Sequence, residues 1–346
     1  MTIFRFTSLL ILFLVFKTSV FSQSSEKEIT FMFYNTENFF DTIDDPNKND
    51  NEFLPSDKHN WNSEKYFSKI NHLAAVIDSV GGKGFPALIG MCEVENETAV
   101  GDLIKYSVLK KVGYDFKVTN SPDIRSIDVA LLYDKKLFKL LSFKEVSATN
   151  PELPENKTRN ILFATLLFNK KERVHVFVNH WPSMRDGEEN SEPRRVYAAT
   201  QLRKQIDSIK KAEPLAKIFV MGDFNETPDK EGIYKTLEAK GQDSVLKNNS
   251  ASVLINPFYN LSKTGKGTHY YQKEWAVLDQ LMFSFPVLNS EKGLRYTSGS
   301  ADRFYNPMVL FTAQKSGETF PNRTYSGTKY HNGYSDHLAV FIKLKY

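Results

Sequence analysis

Short apolar runs that stop on an acid, an amide or a histidine recur along this chain, and they restrict its fold more than any other feature. The sharpest is "KIFVMGDFN", residues 217–225. Residues two apart on a strand point the same way. Phe219, Met221, Asp223 and Asn225 are therefore expected on one face, two apolar residues followed by two polar ones just past the strand end. "EITFMFYN" stops in the same way on Asn35, and "FPALIGMCEVEN" on Glu93 and Glu95, which alternation places on one face. "RVHVFVNH" carries His180 on the face of Val174, Val176 and Val178. Asp279 shares the face of Val277 and Leu281, and Asp336 and His337 open the last run, "SDHLAVFIKLKY". A sheet with this pattern delivers polar groups to its rim.

Helical periods separate these runs. "SEKYFSKINHLAAVIDSVGG" aligns Tyr66, Ile70, Leu73 and Ile77 and stops at Gly81; "ETAVGDLIKYSVLKKVG" reads as a second helix ending at Gly113. "SEPRRVYAATQLRKQIDSIKKA" reads as a third, with Pro193 in its first turn and a stripe from Val196 through Ala199, Leu202 and Ile206 to Ile209. Residues 295–334 have no period and are expected to form a long loop. With no repeat and no linker, residues 23–346 read as one α/β or α+β domain. The pattern leaves a doubly wound sheet and a two-sheet sandwich both open.

The first 22 residues read differently: Arg5, the apolar run Leu9–Phe16, Lys17 and small or neutral residues before Gln23 form a secretory signal peptide cut near Ser22. Export to the periplasm or beyond is the expectation, with no transmembrane segment, since no later run is long and apolar enough. Without the leader the net charge is +2. So small an excess disfavours tight sequence-independent binding to duplex DNA. Cys92 is the only cysteine, which excludes an intrachain disulfide, a four-cysteine zinc site and CxxC redox chemistry. G-x-S-x-G, H-E-x-x-H and Walker-type loops are absent.

Each polar strand end has a plain explanation when taken alone: a solvated acid, a hydrogen-bonded histidine, an Asx-type turn at "SDH". His59, His72, His175, His269 and His331 keep that explanation. The ordered set does not. "YNTENFFD", "CEVEN", "SIDVALLYD", "NHWPS", "GDFNETP", "LDQLMFS" and "YSDHLAVF" follow one another along the chain. This series resembles the endonuclease/exonuclease/phosphatase superfamily, which includes pancreatic-type deoxyribonuclease, apurinic endonucleases, sphingomyelinases and inositol polyphosphate phosphatases. The resemblance runs from about Ile29 to Tyr346; "GDFN" and "SDH" are its most specific pieces.

The resemblance implies an α+β fold, a four-layer αββα sandwich of two packed mixed sheets with outer helices and the site at one rim. It also implies roles. Glu93 matches the metal-binding acid, Asn35 the amide beside it, and Asp336 a metal-side acid. Asp223 and Asn225 match the pair that positions the attacking water and a phosphoryl oxygen. His337 matches the essential histidine, Asp279 its partner acid, and His180 a phosphate-contacting histidine. The family often has Gln where Cys92 stands. Cys92 need not disturb Glu93, because neighbouring strand residues face opposite ways.

These residue types suit phosphodiester hydrolysis, which needs charge neutralisation, an aimed water and help for the leaving oxygen. A hard cation such as Mg²⁺, with Mn²⁺ as substitute, fits a site of carboxylates and an amide. One metal or two, and the identity of the formal base, stay open. The first expectation is an endonuclease on nucleic acid, DNA ahead of RNA, working as a monomer without a stable protein partner. The alternatives are a phosphoesterase of the same family acting on a phospholipid headgroup or small phosphate ester, and a non-catalytic binding protein on the same scaffold. Bases and rings interleave near the last motifs, from Lys266 to Trp275 and again around Arg303, Tyr305, Arg323, Tyr325 and Tyr330. Stacking beside cations suits single-stranded nucleic acid. Arg323 and Tyr330 are the expected substrate contacts.

Overall fold

The computed structural model describes residues 26–346 apart from 83, 154, 156, 186 and 249–251. The expected leader over residues 1–22 lies outside the described residues. In chain order the principal elements are β1 (Glu28–Phe39), α1 (Ser63–Gly81), β2 (Leu88–Val94), α2 (Glu97–Lys105), β3 (Tyr114–Val118), β4 (Asp128–Asp134), β5 (Phe138–Val146), β6 (Ile161–Phe168), β7 (Glu172–His180), α3 (Glu188–Ala212) and β8 (Lys217–Asp223). A strand at Asp279–Ser284 and the terminal strand Val340–Lys345 complete the frame.

Two mixed sheets form. In the first, the terminal strand, β1, β2, β4 and β3 lie side by side, with β1 and β2 parallel. In the second the order is β5, β6, β7, β8 and then Asp279–Ser284, with β7 and β8 parallel. Period-two patterning dictates how they pack. Phe31, Phe33, Leu88, Val129 and Leu131 of the first sheet share one core with Leu162, Val174, Val176, Val178, Phe219, Met221 and Leu281 of the second. The opposite face of the first sheet, Met32, Ile89, Met91 and Leu132, packs on Ile70, Leu73 and Ile77 of α1 and Val100 and Leu103 of α2. The outer face of the second, Phe177, Ile218 and Val220, packs on Ala199, Leu202 and Ile206 of α3. The result is the αββα sandwich. Among the described residues no helix is long and apolar enough to cross a membrane.

Three local expectations fail. The second helix ends at Lys105, because Ser107 starts a separate 3₁₀ turn over Val108–Lys111 and accepts from the Leu109 amide. The third helix begins at Glu188, five residues before Pro193, so the proline lies beyond the first turn. Residues 295–334 are not a bare loop: short antiparallel pairs at Leu310–Thr312 with Thr319–Pro321, and Tyr325–Ser326 with Lys329–Tyr330, fold the segment. Ladders of two or three residues are too short to show a period.

Candidate functional site

The second sheet builds half of the site by register alone. His180 at the end of β7 pairs with Asp223 at the end of β8, and Asp223 pairs with Asp279 at the start of the next strand. Three polar residues thus stand in one row across three neighbouring strands, above the Val178, Met221 and Leu281 core. Gly222 lets the β7 and β8 ends approach: a Cβ there would lie 2.6 Å from the Asn179 carbonyl oxygen.

The first sheet meets this row from the opposite layer. Asn35 Nδ2 donates to Asp223 Oδ2 at 3.0 Å. His337 Nδ1 lies 2.7 Å from Asp279 Oδ2, and its Nε2 is 3.8 Å from Asp223 Oδ2. His180 Nε2 lies 3.7 Å from that same oxygen. One carboxylate oxygen is therefore faced by two imidazoles and an amide. The Ser335 hydroxyl donates to the Asn35 carbonyl at 2.8 Å and accepts from the His337 amide at 3.1 Å, fixing the terminal motif to β1.

Burial and charge set the protonation states. Burial pushes Asp223 up to about 6, against the pull of His337. Burial would lower His337, but Asp279 and Asp223 hold it well above the ordinary histidine value. His180 moves the other way: burial, then the positive charges of Arg159 and Arg125, hold it well below that value. One histidine is poised as a cation and the other as a neutral ring. Asp279 Oδ1 and His180 Nδ1 are buried without a hydrogen-bond partner among the described residues.

Glu93 and Asp336 stand outside that row. Glu93 occupies left-handed backbone (φ 58°) where the β2 pairing shifts between Cys92 and Val94. The bulge cancels the alternation expected of Glu93 and Glu95. Glu93 Oε2 accepts from the Asn38 amide at 2.9 Å and Oε1 lies 3.3 Å from Arg125 Nη2, whereas Glu95 accepts from the Asp41 amide at 2.7 Å. Asp336 Oδ2 accepts from Arg323 Nη2 at 2.9 Å. Burial would raise Asp336, but the charges of His337, His269 and Arg323 hold it down. Glu37 and Asn38 (φ 49° and 50°) are left-handed too, where β1 and β2 lose register. Such conformations cost roughly 1–3 kcal/mol each and cluster at functional sites.

Asn225 departs from expectation. β8 ends at Asp223, and Asn225 turns left-handed (φ 50°) instead of continuing the face. Its backbone amide donates to Asp223 Oδ1 at 2.9 Å, and its side chain donates to the Trp181 carbonyl at 3.0 Å. It braces Asp223 and the β7 exit. The Tyr330 hydroxyl donates to Asn332 and its ring lies under Lys65 at 4.8 Å; neither contact is with the row.

Several residues at the site escaped sequence reasoning. Glu37 is buried, accepts from the Thr324 amide at 2.6 Å, and is pushed up to about 7 by burial and by Asp336. It follows Asn35 by two residues, but its left-handed backbone breaks the alternation that would have marked it. His269, read as an ordinary histidine, lies 4.5 Å from His337 ring to ring, and burial lowers it to about 4. Cys92 also belongs to the site floor: its sulfur converges with His180 and Asp223. Lys69 on α1 donates to Thr324 Oγ1 and the Tyr334 carbonyl, both at 2.6 Å, and Arg159 donates to the His180 and Trp181 carbonyls. Neither cation carried a signal, since their partners are remote in sequence.

Oxygen donors suited to a hard divalent cation are present in Glu93, Asp336 and Asn35. Arg125 and Arg323 supply the countercharge to the two carboxylates.

Solved structures share this architecture. Zebrafish (D. rerio) TDP2 with a single-strand DNA product matches with a TM-score of 0.54 at 14% identity, over 92% of this chain and 98% of that one. The human nocturnin catalytic domain with bound sulfate gives 0.52 at 15%, over 92% and 97%. A mannosyl-6-phosphatase of Bacteroides thetaiotaomicron gives 0.52 at 13%, over 91% and 99%. At such identities the likeness is one of fold. No curated protein matches the sequence. The model of the Endonuclease/Exonuclease/phosphatase family matches residues 30–346, nearly the whole described chain, and the protein belongs to that family.

Proposed function

We propose that the chain is an exported, Mg²⁺-dependent phosphodiesterase that cuts nucleic acid internally, DNA ahead of RNA, with residues 23–346 acting as one monomeric catalytic domain. The family comprises hydrolytic phosphoesterases that use divalent metal ions. The observation that carries the reading is the cluster at Asp223 Oδ2, which both imidazoles and Asn35 face from two sheets.

Glu93, Asp336 and Asn35 would hold the cation, which supplies charge neutralisation at the phosphoryl oxygens. Asp223 aims the attacking water and takes its proton; a carboxylate raised by burial is a better base near neutrality. His337, kept cationic by Asp279 and Asp223, donates to the developing charge. His180, held neutral, keeps a donor on the same spot without adding charge. Asn225 holds Asp223 through its backbone amide.

Nucleic acid is favoured by the surface that begins at the catalytic row. His269 abuts His337 and opens a hairpin whose first strand ends on Tyr271, 66% exposed. Arg303 lies 4.5 Å from the Tyr305 ring and 5.8 Å from that of Trp275 on the same side. Rings and guanidinium groups in succession suit unpaired bases. Zebrafish TDP2 has been solved with single-strand DNA.

Circular plasmid incubated with the protein and Mg²⁺ tests the reading: nicking is expected, and EDTA stops it. Phosphate released from sugar phosphates with plasmid untouched moves the assignment to a small-ester phosphatase. Mass spectrometry of the native protein tests export, with a start near Gln23 expected.

A further inference from the structure

Beside the row, on the Glu93 side, lies a cavity of about 370 Å³ whose wall includes Arg125, Arg185, Arg323, Asn38, Phe53 and Tyr325. His180, Asp223, Asp279 and His337 do not line it. Its size is at the low end for ligand cavities (~300–1,000 Å³), enough for one phosphate-bearing unit and too little for a duplex.

The three guanidinium groups differ in what they already hold. Arg125 Nη2 donates to Asn38 Oδ1 at 2.8 Å and to Glu93 Oε1 at 3.3 Å. Arg323 donates to Asp336 at 2.9 Å, and its Nε is 3.6 Å from Glu37. Arg185 makes no hydrogen bond or ion pair among the described residues. It is nevertheless close enough to the row to help depress His180. Glu37 and Glu52 also line the cavity, but the first faces Arg323 and the second pairs with Lys58, so Arg185 is the guanidinium left without a carboxylate among the described residues. Guanidinium forks match phosphate oxygens two at a time, and a fork with no carboxylate of its own is free to take them. The aromatic side does not compete as a base platform. Phe40 is buried under Phe53 at 4.4 Å, and the buried His59 covers Phe53 at 5.1 Å.

We infer that this cavity is a second phosphate subsite: it takes the phosphate adjoining the scissile one on a nucleic-acid strand, with Arg185 as the guanidinium that meets it first. The inference rests on the phosphodiesterase reading above and adds a determinant of specificity to it. A substrate with a single phosphate fills only the catalytic half.

Calorimetric titration in Mg²⁺ with thymidine 3′,5′-bisphosphate and with the two thymidine monophosphates tests it without turnover. The bisphosphate is expected to bind about tenfold tighter, the value of one charge-assisted hydrogen-bonded contact. Arg185→Ala should bring the ratio close to one, and Arg185→Lys should keep part of it. A ratio that survives Arg185→Ala overturns the inference. So does a larger gain for glucose 1,6-bisphosphate over glucose 6-phosphate than for the thymidine pair, which would make the subsite one for small bisphosphates. The two readings fail separately. A bisphosphate preference without plasmid cleavage sinks the nuclease assignment, and cleavage without the preference sinks the subsite.

Discussion

The two rims that meet at the site are built on opposite principles. On the second sheet, His180, Asp223 and Asp279 take their places from ladder register, so backbone hydrogen bonds hold them. Their side chains face one another, His337, Asn35 and Cys92. On the first sheet, Glu93 sits on a bulge and Asp336 in a loop, and each pairs with an arginine from a different segment. The difference teaches a division of labour. A rigid row is preorganised for proton and charge handling, whose worth depends on not having to reorganise. Carboxylates held by guanidinium groups that still reach solvent can exchange one cation for another.

Predictions that break or sharpen this contrast run from large to small. Removing divalent metal should abolish plasmid cleavage, with Mg²⁺ or Mn²⁺ restoring it; full turnover by metal-free protein would erase the role given to the first rim. His337→Ala should lower kcat by roughly 10²–10⁴. Asp279→Asn should cost less, and the double variant should be far from additive, since the pair acts as a unit. Additive losses in single-turnover assays would mean that the rigid row is not a unit. Asp223→Asn should resemble His337→Ala.

The joint between the rims gives the next effect. Arg159 is buried, pairs with Asp123 at 3.1 Å, and binds the His180 and Trp181 carbonyls. Asp123 lies two residues from Arg125, so this pair couples the His180 strand end to the loop that grips Glu93. Arg159→Met should destabilise by about 3–5 kcal/mol, because it strands a buried carboxylate. Urea unfolding measures it, and a loss below about 1 kcal/mol would show that the rims are held independently. Glu93→Gln should raise the Mg²⁺ concentration for half-maximal activity while leaving the urea midpoint near that of the parent protein. An unchanged metal requirement would remove Glu93 from the cation site.

The smallest effect is in the pH profile. Asp223 is raised to about 6, so its active carboxylate form is lost as pH falls through that value. His337 is raised, so its active cation persists through neutrality and is lost only as pH climbs well above the ordinary histidine range. The profile of kcat/KM should rise near pH 6 and fall on the alkaline side. Asp279→Asn should move the alkaline limb down, because the imidazolium loses its main partner.

The sequence by itself determined the strands and which residues end them. Period-two alternation with buried apolar faces is a local property, and it put His180 and Asp223 at strand ends, whereas Asp279, expected inside its run, opens the strand; the motif order then carried the family and, through it, the sandwich. Alternation could not foresee where it stops. Asn225, Glu37 and Glu93 are left-handed residues at strand exits or bulges, and their directions depend on the partner strand. The charges around the site lay further from view. Lys69 meets Thr324 across 255 residues, Arg125 meets Glu93 from a loop, and His269 meets His337 across two segments. No local pattern marks such pairs, because long-range burial brings the charges together. Packing the two sheets decided which carboxylates share a proton network and which are held by cations.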